Sequence, residues 1–229
     1  MFKILTPIFL FNSLYADCNI LKKLKKEHIN TDAYKQALTF YKKNKFDTKY
    51  ISFIDFTKPS NEKRMYIINN KTNQVYKFKA SHGAGYKHRM NYLYLKKCEY
   101  KGSRRYFTRP GFYKTVGLYK SARGSKYKWN NISGKFNGIK MQGLSKGINN
   151  KIFAKGVVIH SSKYVTRANA GRSSGCFTLH HNDIKKVSNM IKNNNMIYAY
   201  VPQCQGDMKV ILKQVDNWKN ICNYSKDII

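Results

Sequence analysis

The chain has 229 residues, with 44 Lys and Arg against 11 Asp and Glu, for a formal net charge of +33. A hydrophobic share of 42%, including abundant aromatics, excludes a disordered polyelectrolyte, and the length is enough to bury a full core in one domain. The charge favours anionic partners such as nucleic acid, acidic lipid or a carboxylate-bearing polymer, but Lys recurs in every segment, so charge alone names none of them.

The opening stretch, MFKILTPIFLFNSLYADC, carries Lys3, an apolar run from Ile4 to Tyr15, and Ala16 before a polar turn. The run is short for a bilayer span and ends in a small residue suited to cleavage, so residues 1–16 read as a signal peptide. Leu14 is bulkier than the usual residue three positions before the cut. Asp17 before Cys18 argues against lipidation there. The expectation is an exported protein of the periplasm or cell envelope. Next, NTDAYKQALTFYKKNKF offers Thr31 as N-cap and places Tyr34, Ala37, Leu38 and Tyr41 at helical spacing, giving a helical segment over 17–49 that packs on the main domain. YISFIDF then reads as a strand, and RMYIINNKTNQVYKFKASHG as two strands around a turn. From Lys101 to Gly147, glycines and aromatics without a helical period indicate short strands and loops. GVVIHSS reads as a buried strand ending at His160. NDIKKVSNMI puts Ile184, Val187 and Ile191 on one helical face, with Asn182 as cap and Asp183 in the first turn. MIYAYVP reads as a closing strand, and 204–229 as a basic tail of about one more helix. The domain itself spans 50–203.

Five cysteines, Cys18, Cys98, Cys176, Cys204 and Cys222, leave an odd one in an oxidising compartment. Pairing Cys204 with Cys222 and Cys18 with Cys98 would leave Cys176 free, although spacing does not settle connectivity. A thiol becomes a nucleophile when a base takes its proton or when local positive charge holds the thiolate. His160 precedes Cys176 by 16 positions at the end of a strand, and the polar SSKYVTRANAGRSSG between them can fold back to bring imidazole and thiol together. Arg172 and the start of the following helix are candidates for holding a thiolate. Gly175 leaves room beside the sulfur for a substrate carbonyl, and backbone N–H groups over Ser174–Cys176 are candidate oxyanion donors. The Ser161 hydroxyl is placed to orient the imidazole. Taken singly, a cysteine after glycine more often packs than reacts, and a histidine at a strand end is more often structural. The combination in an exported chain favours chemistry.

The order of motifs carries a resemblance. SHGAG (Ser81 to Gly85), GFYKT (Gly111 to Thr115), GLSKGIN (Gly143 to Asn149), VVIHSSKYV (Val157 to Val165) and GRSSGC (Gly171 to Cys176) together resemble the murein L,D-transpeptidases of the YkuD-like superfamily, in the branch with a Gly-Arg-Ser-x-Gly-Cys motif, over about Tyr50 to Pro202. The resemblance implies an α+β fold, a β-rich L,D-transpeptidase-like catalytic domain with flanking helices. It implies that Cys176 attacks the third residue of a peptidoglycan stem tetrapeptide and expels D-Ala to form a thioester. The acyl group then passes to an amine on a second stem or an envelope protein, to a D-amino acid, or to water. Cys176 would be the nucleophile, His160 the base, Ser161 its support and Gly175 part of the oxyanion region. Arg172, Ser173, Ser174, Tyr164, His82 and Gly83 would bind substrate, with Arg172 gripping a carboxylate. No cofactor, metal or nucleic acid is expected, and the protein would sit peripherally on the envelope. Two positions depart from the common pattern: Ser174 replaces a His before Gly-Cys, and Thr178 replaces an Arg or Asn two residues after the cysteine. Lys155 fits a basic position before the strand.

Other readings fit less of the chain. A papain-like or amidase-type cysteine peptidase usually places Cys before His, and His180 and His181 follow Cys176 too closely. The Ser-x-x-Lys match SNEK (Ser60 to Lys63) lacks a Lys-Thr-Gly partner, and His82 with His88 lacks further zinc ligands. A secreted basic binding module for anionic envelope polymer or nucleic acid would use the interleaved aromatics and cations of RRYFTRPGFYK and SKYKW, and its binding would fall steeply with salt.

Overall fold

Strand residues that alternate in sequence divide between two hydrophobic clusters. In the strand Tyr50–Asp55 (β1), Ile51 and Phe53 enter one cluster and Ile54 the other. In Lys63–Asn69 (β2), Tyr66 and Ile68 oppose Met65 and Ile67, and in Asn193–Tyr200 (β10), Met196 and Tyr198 oppose Ile197 and Ala199. A sheet with apolar residues on both faces must be covered on both. The computed structural model describes residues 19–83, 93–95, 98, 107–122, 129–166, 170 and 172–221. The leader read over 1–16, together with Cys18 and Cys222, lies outside them.

The remaining strands are Val75–Lys79 (β3), His82–Gly83 (β4), Gly111–Tyr119 (β5), Gly138–Gly143 (β6), Val158–Ser161 (β7), Arg172–Ser173 (β8) and Phe177–Leu179 (β9). The main sheet has eight strands in the order β3-β2-β1-β10-β5-β6-β7-β9, and β4 pairs with β8 in a separate two-stranded ribbon. Pairing is antiparallel except for β1 with β10, β7 with β9, and β4 with β8. The segment expected to close the sheet, β10, is instead central, between β1 and β5. Its continuous burial, Met196 to Ala199, is that of a strand covered on both faces.

One face is covered by residues 19–26, which are helical, by Thr31–Lys43 (α1) and by Gln205–Leu212 (α3). Tyr34, Ala37, Leu38 and Phe40 pack there with Phe53, Phe112 and Tyr198. The Phe112 ring stacks between Phe40 at 3.8 Å and Tyr198 at 4.4 Å. The cap of α1 is Asn30 rather than Thr31, because the Asn30 Oδ1 accepts the N–H groups of Asp32 and Ala33. The segment read as a basic tail buries Met208, Ile211 and Val215 against this face. His181–Ile191 (α2) covers the other face through Ile184, Val187 and Ile191, as its periodicity predicts. Its cap is His180, whose Nδ1 accepts the Asn182 N–H, two residues earlier than expected.

Cys204 is bonded to Cys98, not to Cys222, and this pairing replaces the one entertained from spacing. The chain leaving β10 turns at 201–204 beside residues 93–95 and 98. There Gln203 donates to Leu95 O at 2.7 Å and Ser60 N–H to Leu93 O at 2.7 Å. Among the described residues Cys176 is the free cysteine. The bridge closes a loop of 106 residues. Replacing both partners with Ala should therefore lower the unfolding free energy by about 2–4 kcal/mol, read as a lower urea midpoint. An unchanged midpoint would contradict the staple.

Candidate active site

Parallel strands need a crossover, and the fifteen-odd residues between β7 and β9 provide it. The two strands pair in register, Ile159 with Phe177, His160 with Thr178 and Ser161 with Leu179. Ile159, Phe177 and Leu179 point into the cluster beneath α2, so the alternation of a strand turns His160 and Thr178 to the opposite side. Cys176 stands one residue before β9, and the backbone of Val158, one residue before Ile159, lies against its thiol. By the same register Cys176 stands level with Val158, two residues along β7 from His160.

The His160 ring is buried, and its Nδ1 lies 2.9 Å from the Ser161 carbonyl oxygen. A carbonyl only accepts, so Nδ1 carries the proton and Nε2 presents its lone pair. Thr178 Oγ1, rather than the sulfur, lies within hydrogen-bond distance of Nε2, at 3.2 Å, and Tyr164 OH donates to Thr178 Oγ1 at 3.0 Å. Of the two groups by which Ser161 was expected to support the ring, hydroxyl or carbonyl, the carbonyl is the one in contact. The hydroxyl accepts the Asn130 N–H at 2.9 Å. The clamp fixes the chain beside Trp129, whose ring stacks on His160 at 3.7 Å and 12°.

Burial lowers the His160 pKa to about 4, against the opposing pull of the Ser161 carbonyl. The π-face of Trp129 favours the imidazolium and works against burial as well. Burial also raises the Cys176 thiol, although that residue is only half-buried, and the Val158 backbone offsets part of the rise. Thiol and imidazole are both neutral at rest. The expectation that the next helix holds a thiolate is corrected: β9 intervenes between Cys176 and α2. The Arg172 side chain lies outside the described residues.

The turn before Cys176 is fastened internally. Ser173 Oγ donates to Cys176 O at 2.6 Å and accepts the Gly175 N–H at 3.2 Å. Ser173, expected to bind substrate, thus spends its hydroxyl on shaping the turn, and the Gly175 N–H is not free for an oxyanion. Gly175 has φ +106°, and an added Cβ would meet the Phe107 carbonyl oxygen at 3.0 Å. The space left by its missing side chain is filled by this neighbouring backbone, not by a substrate carbonyl. Ser174 is exposed beside the cysteine, and Tyr164 is 38% exposed.

His82 does not line a cleft. It is 0% exposed, and its Nδ1 accepts from Arg64 NH2 at 2.7 Å. Arg64, itself fully buried, also donates to Ala80 O and Lys58 O, each at 2.9 Å. Burial, reinforced by the Arg64 charge, lowers the His82 pKa to about 3. The contribution of His82 and Gly83 is through the backbone: β4 pairs with β8, His82 with Arg172 and Gly83 with Ser173, directly before the cysteine turn. Thr108 Oγ1 ties the two together, accepting the Gly83 N–H at 2.8 Å and donating to Gly175 O at 3.4 Å. Trp129 and Thr178 escaped sequence reasoning. Trp129 ends the SKYKW run and was read as part of a possible base-stacking surface, whereas Thr178 registered only as a departure from a pattern.

The chain belongs to the L,D-transpeptidase catalytic domain family, whose sequence model matches residues 25–200. The match starts before β1 and takes in α1, which packs on the same sheet. No curated protein sequence matches the chain. Among solved structures, an L,D-transpeptidase from Mycobacterium smegmatis is 13% identical with a TM-score of 0.40, covering 67% of this chain and 59% of that one. L,D-transpeptidase 1 of Mycobacterium tuberculosis is 14% identical with a TM-score of 0.35, covering 67% and 62%. Bd1075 of Bdellovibrio bacteriovorus is 15% identical with a TM-score of 0.36, covering 76% and 58%. The chain thus spans about three fifths of the length of these proteins.

The two buried histidines set an acid limit on stability. Both are neutral when folded, with pKa values of about 4 and about 3, while the unfolded chain takes up protons near 6.5. Their stabilising contribution is complete above that value and is lost as pH falls through 6.5 towards 4 and 3. His160→Gln should flatten the fall in unfolding free energy between pH 6 and 4.5 by about 1.4 kcal/mol per pH unit. Urea titrations in which parent and variant keep the same slope would contradict a buried neutral His160.

Proposed function

We propose that the protein is a cysteine-dependent acyltransferase acting on peptidoglycan stem tetrapeptides, with Cys176 as nucleophile and His160 as base. The observation that carries the reading is the free Cys176 beside the His160 strand, with the Nε2 lone pair of His160 directed away from the Ser161 carbonyl. Family membership supports it.

In this mechanism the Cys176 proton passes to His160 Nε2 as the sulfur adds to the carbonyl of the third stem residue, a diamino acid. Collapse of the tetrahedral intermediate breaks the bond to the terminal D-Ala, whose amine takes the proton from the imidazolium. The remaining thioester is then attacked by an amine of a second stem or envelope protein, by a D-amino acid, or by water. Addition of the thiol to a trigonal amide carbonyl asks for a base that is unprotonated at rest, and His160 with a pKa of about 4 meets that requirement. Trp129, stacked on the ring, then favours the transient imidazolium. Ser174, two residues before the cysteine, and Tyr164, on Thr178, are both exposed, which supports a part in binding substrate. Export to the periplasm or envelope suits this substrate, and the net charge of +33 would hold the enzyme against a carboxylate-rich wall.

Incubation with a tetrapeptide muropeptide should add to the intact mass of the protein the acyl group without D-Ala, and Cys176→Ala should abolish the adduct. His160→Gln should slow its formation at least a hundredfold, the usual scale of general-base catalysis. An adduct that persists in the Cys176 variant would overturn the reading.

A further inference from the structure

The hydroxyl of Thr178 has one proton and two candidate partners, and the neighbouring groups settle its direction. His160 Nδ1 faces only the acceptor Ser161 O at 2.9 Å, so Nε2 is the unprotonated nitrogen of the neutral ring. Thr178 Oγ1, at 3.2 Å, must therefore donate to Nε2, and Tyr164 OH, at 3.0 Å, supplies the hydrogen that Oγ1 accepts. The result is a one-way line of hydrogen bonds from Tyr164 through Thr178 to His160, ending on the lone pair that must receive the Cys176 proton.

We propose that Tyr164 and Thr178 are positioning residues that occupy the His160 Nε2 lone pair at rest, so that Cys176 keeps its proton until this hydrogen bond is exchanged for the thiol. The inference rests on the reading of His160 as the base of Cys176. In the exchange the S–H bond breaks, Nε2 gains that proton, and the Thr178 hydroxyl keeps its own. Thr178 Oγ1 then turns its hydrogen away and offers an oxygen lone pair to the new Nε2–H. A hydroxyl serves both states of the ring because it donates to one and accepts from the other, which an apolar side chain of the same shape does not. A donor aimed at the neutral ring also disfavours the imidazolium. Tyr164 strengthens the effect by polarising the Thr178 hydroxyl.

No fixed charge competes with the line among the described residues. On β6, Lys140 has its ammonium over the rings of Tyr119 at 5.4 Å and Phe153 at 4.7 Å. At the start of α2, His180, His181 and Asp183 interact with one another and with Lys63, Lys163 and Lys186. On the strand partner, Cys176 is the titrating group, and its neighbour is the Val158 backbone. The lowering at His160 comes from burial, with the Ser161 carbonyl opposing it.

The test is the titration midpoint of the His160 imidazole, followed by nitrogen-15 NMR on the full chain. Thr178→Val should free Nε2 and raise that midpoint by about half to one unit, the equivalent of one neutral hydrogen bond. Thr178→Ser should restore the parent midpoint, and Tyr164→Phe should move it in the same direction by less. Tyr164→Phe changes a partly exposed side chain and so keeps the test open if Thr178→Val does not fold. If Thr178→Val or, failing its folding, Tyr164→Phe holds the parent His160 midpoint or moves it downward while His160→Gln slows formation of the muropeptide adduct, the positioning role is overturned and the base survives. If His160→Gln leaves the muropeptide adduct unslowed, the base is overturned and the positioning role with it.

Discussion

The site depends on one parallel strand pairing, β7 against β9. Ile159 and Phe177 share a rung and are both fully buried in the cluster under α2. Because a strand alternates, burying those residues obliges His160 and Thr178 to the other side, and a slip of one residue would send the imidazole into the core. The hydrophobic core therefore enforces the register of His160 and Thr178. The cysteine needs no special placement of its own: it arrives at the start of β9, beside the backbone of Val158.

Much of the polar structure around this pairing serves to hold a turn rather than to meet a ligand. Ser173, Thr108 and the β4–β8 ribbon fasten the segment before Cys176, and Gly175 lets the Phe107 backbone pass close by. Beneath the ribbon lies Arg64, with its guanidinium divided among Ala80 O, Lys58 O and His82 and its face against the Phe56 ring at 4.9 Å. Burial lowers its pKa to about 9, and the charge of Asp55 works in the opposite direction. A buried cation without a direct carboxylate contact is costly unless its nitrogens have partners, and here two carbonyls and an imidazole meet one nitrogen each. Removing His82 would leave that cation short of an acceptor, so its buried place in the SHG motif has a structural explanation.

The sequence showed the parts that follow from periodicity and from local order. The α1 face, the β2–β3 hairpin, the α2 face and the His160 strand all carry patterns that one segment displays by itself. Other features depend on segments far apart. The central place of β10 comes from its pairing with β1 and β5, and no residue in MIYAYVP encodes its neighbours. The Cys98–Cys204 bond likewise follows from a tertiary approach that spacing does not reveal. At the site, Cys176 and His160 were legible as residue types, but the roles of their neighbours were not. A serine after a histidine suggests a hydroxyl partner, whereas the carbonyl does the orienting and the hydroxyl clamps Asn130. His82 looked like a wall residue because a histidine in a Gly-rich motif suggests function, and only burial distinguishes it.

The central claim is that the Ser161 carbonyl fixes His160 as a neutral ring with its proton on Nδ1 and its lone pair on Nε2. Nitrogen-15 NMR of the imidazole near pH 6 measures this directly. The account predicts a protonated Nδ1 and a bare Nε2 for His160, unchanged until the pH approaches 4. A ring protonated at both nitrogens at pH 6, or one with its proton on Nε2 alone, would contradict it.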